Sequence, residues 1–299
     1  MDNTDLDKNK DSNNQCSDII ENDIKTLCAK KIEYSYSEKE KKLIIKDKEG
    51  GEESDIIKIN FDDYKDLKIL DLFECSKIIN FSFISKFEKL EELVLPDIKD
   101  FDISFLENNK NLKKLNIYIC SKTNDFSFIS KLEKLEILSF SQTEVSDISF
   151  LEFNKNLKKF FLFRCNNVND FSYISKLDKL EELGLCETKI SDISFLEKNK
   201  NLKQLDLSFC EKIDDFSVLS KLKKLEDLIL SYTEISELSF IENLKELKML
   251  ILTDCKNIND ISYISGLEKL EVLDIEGTNV SDFSILEKLK KRQKIKITQ

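Results

Sequence analysis

A 45-residue unit recurs through this chain and divides into a 23-residue half followed by a 22-residue half. The first leucine of each L-x-x-L-x-L run falls at Leu67, Leu90, Leu112, Leu135, Leu157, Leu180, Leu202, Leu225, Leu247 and Leu270, and the next slot is Arg292. A unit of this length cannot bury its apolar side alone, so copies must stack, each covering the next. The L-x-L alternation describes a short strand with leucines inward, and stacking joins such strands into a parallel sheet. The fold class predicted is an α/β solenoid: a right-handed superhelix with a concave parallel sheet of about eleven strands and short helical turns on the convex side. The last strand is expected at Ile295–Ile297.

The return path is as regular as the strand. Ten residues before each leucine start stand Asn80, Asp102, Asp125, Asp147, Asp170, Asp192, Asp215, Glu237, Asp260 and Asp282, each followed two residues later by serine. Ser149-Phe150-Leu151-Glu152 has the form of a capping box, repeated at Ser104, Ser194, Ser239 and Ser284. Helical turns are expected to start at these serines. Ile84, Leu106, Ile129, Leu151, Ile174 and Leu196 would form their inward side.

Three segments follow. Residues 1–16 are too polar to offset the entropy of ordering and read as a disordered tail. Residues 17–66 read as an N-terminal cap. A short helix capped by Ser17 carries Ile20, Ile24 and Leu27, and a hairpin joins Leu43–Ile45 to Ile56–Ile59 around the turn-prone Glu49-Gly50-Gly51-Glu52. Residues 67–299 form the repeat domain.

Charge and cysteine usage narrow the function. With 47 Lys plus Arg against 58 Asp plus Glu, the formal charge is -11 and the pI near 4.9, which opposes binding to nucleic acid or an anionic membrane. The basic exception is the end of the chain, at Lys288, Lys290, Lys291, Arg292, Lys294 and Lys296. No segment has the length and apolarity of a membrane span or a secretory signal. Eight cysteines in such a chain read as reduced thiols in the cytoplasm. The absence of histidine excludes histidine acid/base catalysis and mixed Cys/His zinc sites.

These residues resemble the leucine-rich repeat family, over about 230 residues. Leu207-Ser-Phe-Cys210-Glu-Lys-Ile213-Asp-Asp215 is similar to the cysteine-containing repeats of F-box proteins. Thr188-Lys-Ile190-Ser-Asp192-Ile193-Ser-Phe-Leu196 is similar to the 22-residue repeats of internalins and of a protein phosphatase regulatory subunit. Surface internalins carry an export signal and a wall anchor that this sequence does not show, and its first 66 residues do not resemble an F-box. The resemblance implies the solenoid fold and a protein-binding role.

Each repeated column has a chemical and a structural interpretation. Cys75, Cys120, Cys165, Cys210 and Cys255 recur every 45 residues on alternate strands. At a strand spacing of about 4.8 Å, neighbours would lie roughly 10 Å apart, beyond disulfide reach, so a structural role is expected. Thr143, Thr188, Thr233 and Thr278 fill the same slot in the other halves and can bond the turn backbone; Ile98 fills it in the first and cannot. Cys186 falls outward and is a candidate exposed thiol or a tolerated surface residue. The aspartate column fits backbone capping better than calcium. Lys68, Glu91, Lys113, Glu136, Lys158, Glu181, Lys203, Glu226, Lys248 and Glu271 alternate in sign and would penalise slippage of the stack.

The outward strand positions break this regularity. Tyr118, Phe161, Phe163, Phe209, Ile229, Tyr232, Met249 and Ile251 form the candidate partner-binding set, and Asp206, Asp227, Asp254, Asp274 and Glu276 make its C-terminal part acidic. The expectation is a monomeric, non-enzymatic scaffold for protein–protein interaction, without cofactor or metal, binding a protein on its concave face. The alternatives are a regulatory subunit of an enzyme such as a phosphatase, or an exported adhesin or effector.

Overall fold

The computed structural model describes residues 32–47, 65–75, 81–98, 102–120, 124–292 and 295–299. The tail and the short helix expected before residue 32 lie outside them, as do Glu49–Ile59. One sheet runs through the whole described chain in sequence order. Its strands are β1 (Ile32–Ser37), β2 (Lys42–Asp47), β3 (Ile69–Glu74), β4 (Glu92–Ile98), β5 (Lys114–Cys120), β6 (Ile137–Ser141), β7 (Lys159–Phe163), β8 (Glu182–Gly184), β9 (Gln204–Asp206), β10 (Asp227–Ile229), β11 (Met249–Ile251), β12 (Val272–Asp274) and β13 (Lys296–Thr298). β1 and β2 are antiparallel, and every later pairing is parallel. The eleven parallel strands β3–β13 are those the leucine period predicts.

Register follows from the inward residues. Leu93 stands beside Leu70 and Leu115, Phe160 beside Leu138 and Leu183, and Leu228 beside Leu205 and Leu250. All of these side chains are buried. A slip of one residue would turn the whole row to solvent, so hydrophobic burial alone selects this pairing. The backbone repeats the choice at each strand entry: the Glu91 N–H donates to Lys68 O at 2.7 Å, Lys113 to Glu91 O at 2.7 Å, and Lys248 to Glu226 O at 2.7 Å.

The expectations at the two ends of the sheet are corrected. The N-terminal hairpin is formed by β1 and β2 around residues 38–41, not by Leu43–Ile45 with Ile56–Ile59. One edge of β2 is taken by β1 and the other by β3, which leaves no edge for that pairing. At the far end, Leu273 pairs with Ile297, so the leucine slot falls two residues later than the expected register starting at Arg292. The cause is the last return segment. It is an α-helix, α1 (Ser284–Arg292), longer than the 3-10 turns before it, with Leu286 and Leu289 buried on the core and Glu287 in its first turn.

The earlier return segments are 3-10 turns that begin at serine, as at Ser104–Asn108, Ser149–Glu152 and Ser194–Lys198. Each buries one central aliphatic residue, such as Ile84, Leu106, Ile129 or Leu151. The expected capping boxes do not form, because serine is the first residue of the turn and the residue before it, an isoleucine at Ile103, Ile148 and Ile193, makes no side-chain cap bond. The aspartate column does cap the backbone, as its spacing to serine predicts. Asp102, Asp147, Asp192 and Asp215 each accept the N–H of the serine two residues on, at 2.8 Å.

Further ladders tie one turn to the next. Buried Asn109, Asn154 and Asn199 each donate through Nδ2 to two carbonyls of the preceding turn, Asn154 to Ile129 O and Leu132 O at 3.0 Å. The threonine and cysteine columns interlock. Thr188 Oγ1 and Cys210 Sγ both donate to Leu185 O, at 2.8 and 3.0 Å, and Thr233 and Cys255 do the same at Leu230 O. Cys165, Cys210 and Cys255 are fully buried free thiols; the side chain of Cys120 lies outside the described residues. The charge column pairs as expected: Lys113 with Glu91 at 2.6 Å, Lys158 with Glu136 at 2.7 Å, Lys203 with Glu181 at 2.7 Å and Lys248 with Glu226 at 2.6 Å.

These ladders give stability a direction in pH. The lysine partners hold Glu91, Glu136, Glu181 and Glu226 below the ordinary glutamate value, and the serine N–H does the same for Asp125, Asp192 and Asp215. A carboxylate depressed in the folded state stabilises it above the unfolded pKa, and that contribution is lost as pH falls through the folded value. The denaturant midpoint should therefore be level near neutrality and fall from about pH 4.5 downward. Equilibrium unfolding at pH 7 and pH 3 tests this, and an unchanged or higher midpoint at pH 3 would contradict it.

Candidate protein-docking face

The stack consumes every inward position, so the outward positions of the strands carry what distinguishes this chain. Across β7–β11 they form a cavity of about 350 Å³ lined by Phe161, Glu182, Leu183, Gln204, Leu205, Asp206, Asp227, Ile229 and Met249. Gly184 makes it possible. Phe161 and Gly184 are paired across β7 and β8, and a Cβ at residue 184 would stand 2.8 Å from Phe161 Cδ1. The missing side chain lets the ring lie over β8 and become one wall. Ile229 and Met249 form the opposite wall, and Ile251 continues it beside Ile229.

Polar groups of the cavity are held in place by their neighbours. Gln204 Nε2 donates to Asp227 Oδ2 at 2.8 Å, and the Ser208 N–H and hydroxyl both donate to Asp206 Oδ1, at 2.8 and 2.6 Å. Glu182 is paired with Lys159 at 2.6 Å. Burial pushes the Asp227 carboxyl up despite its bond from Gln204. This pocket has apolar walls, with the Asp206 and Asp227 carboxylates on the strands between Phe161 and the Ile229–Met249 side.

At the ends of the strands the backbone turns through left-handed conformations at Gln142, Arg164, Glu187, Phe209, Tyr232 and Asp254, with φ between 54° and 59°. Bulky residues adopt this region at a cost. Phe209 and Tyr232 stand here in a stack, with centroids 4.3 Å apart and planes at 8°, and both rings are exposed. Asp254 faces the Tyr232 hydroxyl and raises its pKa by accepting its hydrogen bond. In the next repeat, Gly277 takes the same turn at φ 73°, with Asp254 where a side chain would be.

The expected binding set thus falls into separate places. Phe161, Ile229 and Met249 share the cavity, Ile251 borders it, and Phe209 with Tyr232 forms the stack. Phe163 is covered by the Arg164 guanidinium, 5.1 Å from its centroid, and that arginine is paired with Glu187 at 2.6 Å. Tyr118 packs edge-on to Phe73, with centroids 4.8 Å apart. Phe73 is more than half exposed and was missing from the expected set, although it lies one 45-residue step before Tyr118. Gly184, Glu182 and Gln204 were missed too; a glycine within a strand was the available signal.

Cys186 is half-buried rather than freely exposed, and burial pushes its thiol up to about 12. Burial also raises Cys165, Cys210 and Cys255. Among the described residues no group of three or more Cys, Asp or Glu is placed to hold a metal ion, and no helix is long and apolar enough to cross a membrane. Thiolate is the reactive form. Alkylation at pH 7.5 followed by peptide mapping should leave all four of these cysteines slow, with full reaction only after unfolding; rapid labelling at Cys186 would contradict this.

The fold and its repeat define a leucine-rich repeat protein. A family model described as Leucine Rich repeats (2 copies) matches residues 178–221, and one described as Zer-1-like, Leucine-rich repeats, matches 216–288. Among solved structures the chain is similar to an internalin, inlF, of Listeria monocytogenes, with 22% identity and TM-score 0.59 over 87% of this chain and 86% of that one. It is similar to internalin C2 of the same organism, with 22% identity and TM-score 0.56 over 62% of this chain and 80% of that one. It is also similar to the functional domain of InlJ from that organism, described as including a cysteine ladder, with 22% identity and TM-score 0.61 over 78% of this chain and 49% of that one. No curated protein matches the chain.

Proposed function

We propose that this chain is a non-enzymatic scaffold that binds a protein partner on its concave sheet face. The carrying observation is the cavity at β7–β11, where Gly184 lets Phe161 face Ile229 and Met249 across a half-buried floor. Apolar side chains grouped on a rigid wall, with polar groups already oriented, are the features of a hot-spot surface. The stacked repeats supply the rigidity, since inward and outward roles are separated residue by residue along each strand. Phe160 serves the core, and Phe161, its neighbour, serves the face.

Affinity capture with the intact chain, followed by binding measurements on the partner recovered, tests this reading. Phe161→Ala and Met249→Asp should each weaken binding by at least ~1 kcal/mol while leaving the melting transition nearly unchanged. Phe160→Ala should chiefly cost stability, roughly 3–5 kcal/mol. Phe153, exposed on the return side, is the control. Binding that survives Phe161→Ala and Met249→Asp but is lost in Phe153→Ser would place the docking site on the convex side.

A further inference from the structure

We infer that the half of the sheet face from β9 to β12 receives a basic segment of the partner, carrying lysine or arginine on either side of one apolar anchor. This rests on the docking reading above and specifies its chemistry. In the preceding half of the face three outward carboxylates are ion-paired, Glu92 with Lys114 at 3.8 Å, Glu182 with Lys159 at 2.6 Å and Glu187 with Arg164 at 2.6 Å, while Asp71 accepts, among the described residues, only the Phe73 N–H at 3.0 Å. From β9 onward such pairing ends. Asp206, Asp227, Asp254, Asp274 and Glu276 stand on or just beyond β9–β12, where no outward strand position is lysine or arginine; the first is Lys296 on β13, beside Val272, and among the described residues none of the five carboxylates is ion-paired.

Their oxygens are oriented but not neutralised. Asp206 accepts from Ser208, Asp227 from Gln204, and Asp274 from the Glu276 N–H at 2.9 Å. A neutral or acidic segment lying across them would strip water from these carboxylates without replacing it, which is costly. A basic segment supplies the missing partners and is also steered toward the face before contact. The apolar groups fit the same occupant. Lysine and arginine lay their stems along apolar surface with the charge at the end, and here apolar walls flank Asp206 and Asp227, which stand between them. Phosphate-bearing partners are disfavoured by the same charges.

A phage-displayed random dodecapeptide library, panned on the immobilised full chain, provides the test. Asp206→Asn, Asp227→Asn and Asp274→Asn combined form the charge variant, in which each asparagine keeps an oxygen to accept the existing bond. Enriched peptides should carry two or more Lys or Arg residues around a bulky apolar one. Synthesised, they should bind the charge variant at least ~10-fold more weakly and lose affinity as salt rises. Neutral or acidic winners, or equal binding to the charge variant, would overturn the inference. If such winners still lose affinity in Phe161→Ala/Met249→Ala, the docking face stands without its charge rule. If they bind that variant equally well, or if nothing is enriched, the docking face falls too.

Discussion

The inward row of leucines, held in one register from β3 to β13, is the constraint on which the rest of the structure depends. Each strand is only a few residues long and can bury its apolar side only against the strands before and after it. Because every partner is a sequence neighbour, a displaced repeat loses contacts on both sides. The entry hydrogen bonds, the aspartate caps and the Lys/Glu column all repeat that choice. Individually, the exposed ion pairs contribute little. Their regular recurrence makes a shifted register worse everywhere at once.

The alternation of half-repeats adds a second level of order. A threonine hydroxyl and the thiol of the next half-repeat converge on one carbonyl, as Thr188 and Cys210 do at Leu185. A glutamate faces the lysine of the next half, and a buried asparagine in one half reaches back to the turn of the other. These contacts need unlike neighbours. The structural unit is therefore the 45-residue pair, while the strand remains the unit of burial.

Strand number, parallel pairing and the inward row were legible in the sequence because burial imposes a strict period on them. The cysteine, threonine, aspartate and Lys/Glu columns were legible because like residues recur at one slot, whereas the asparagine ladder at Asn109, Asn154 and Asn199 went unread although it keeps the same 45-residue step. What else escaped depended on local geometry. The serine columns read as capping boxes because the spacing to glutamate was right, but the backbone enters the turn one residue earlier and aspartate reaches the N–H first. The end of the solenoid was misplaced by two residues because an α-helix replaces a 3-10 turn. On the outer face, no period tells that Phe161 leans over Gly184 whereas Phe163 lies under Arg164. Those positions are set by neighbours across strands, and the stack leaves them free to vary.

The claim that the paired half-repeat is the unit can be tested by shortening the chain in two ways and measuring equilibrium unfolding of each product. Removing residues 135–179 excises one whole unit and joins a Lys/Cys half to a Glu/Thr half, as everywhere else. Removing residues 157–179 excises less but sets Glu136 beside Glu181 and Thr143 beside Thr188. If the pair is the unit, the longer deletion unfolds in one cooperative transition with its slope reduced in keeping with the lost surface, and the shorter deletion is the less stable. A shorter deletion as stable as the longer, or more so, would contradict the account.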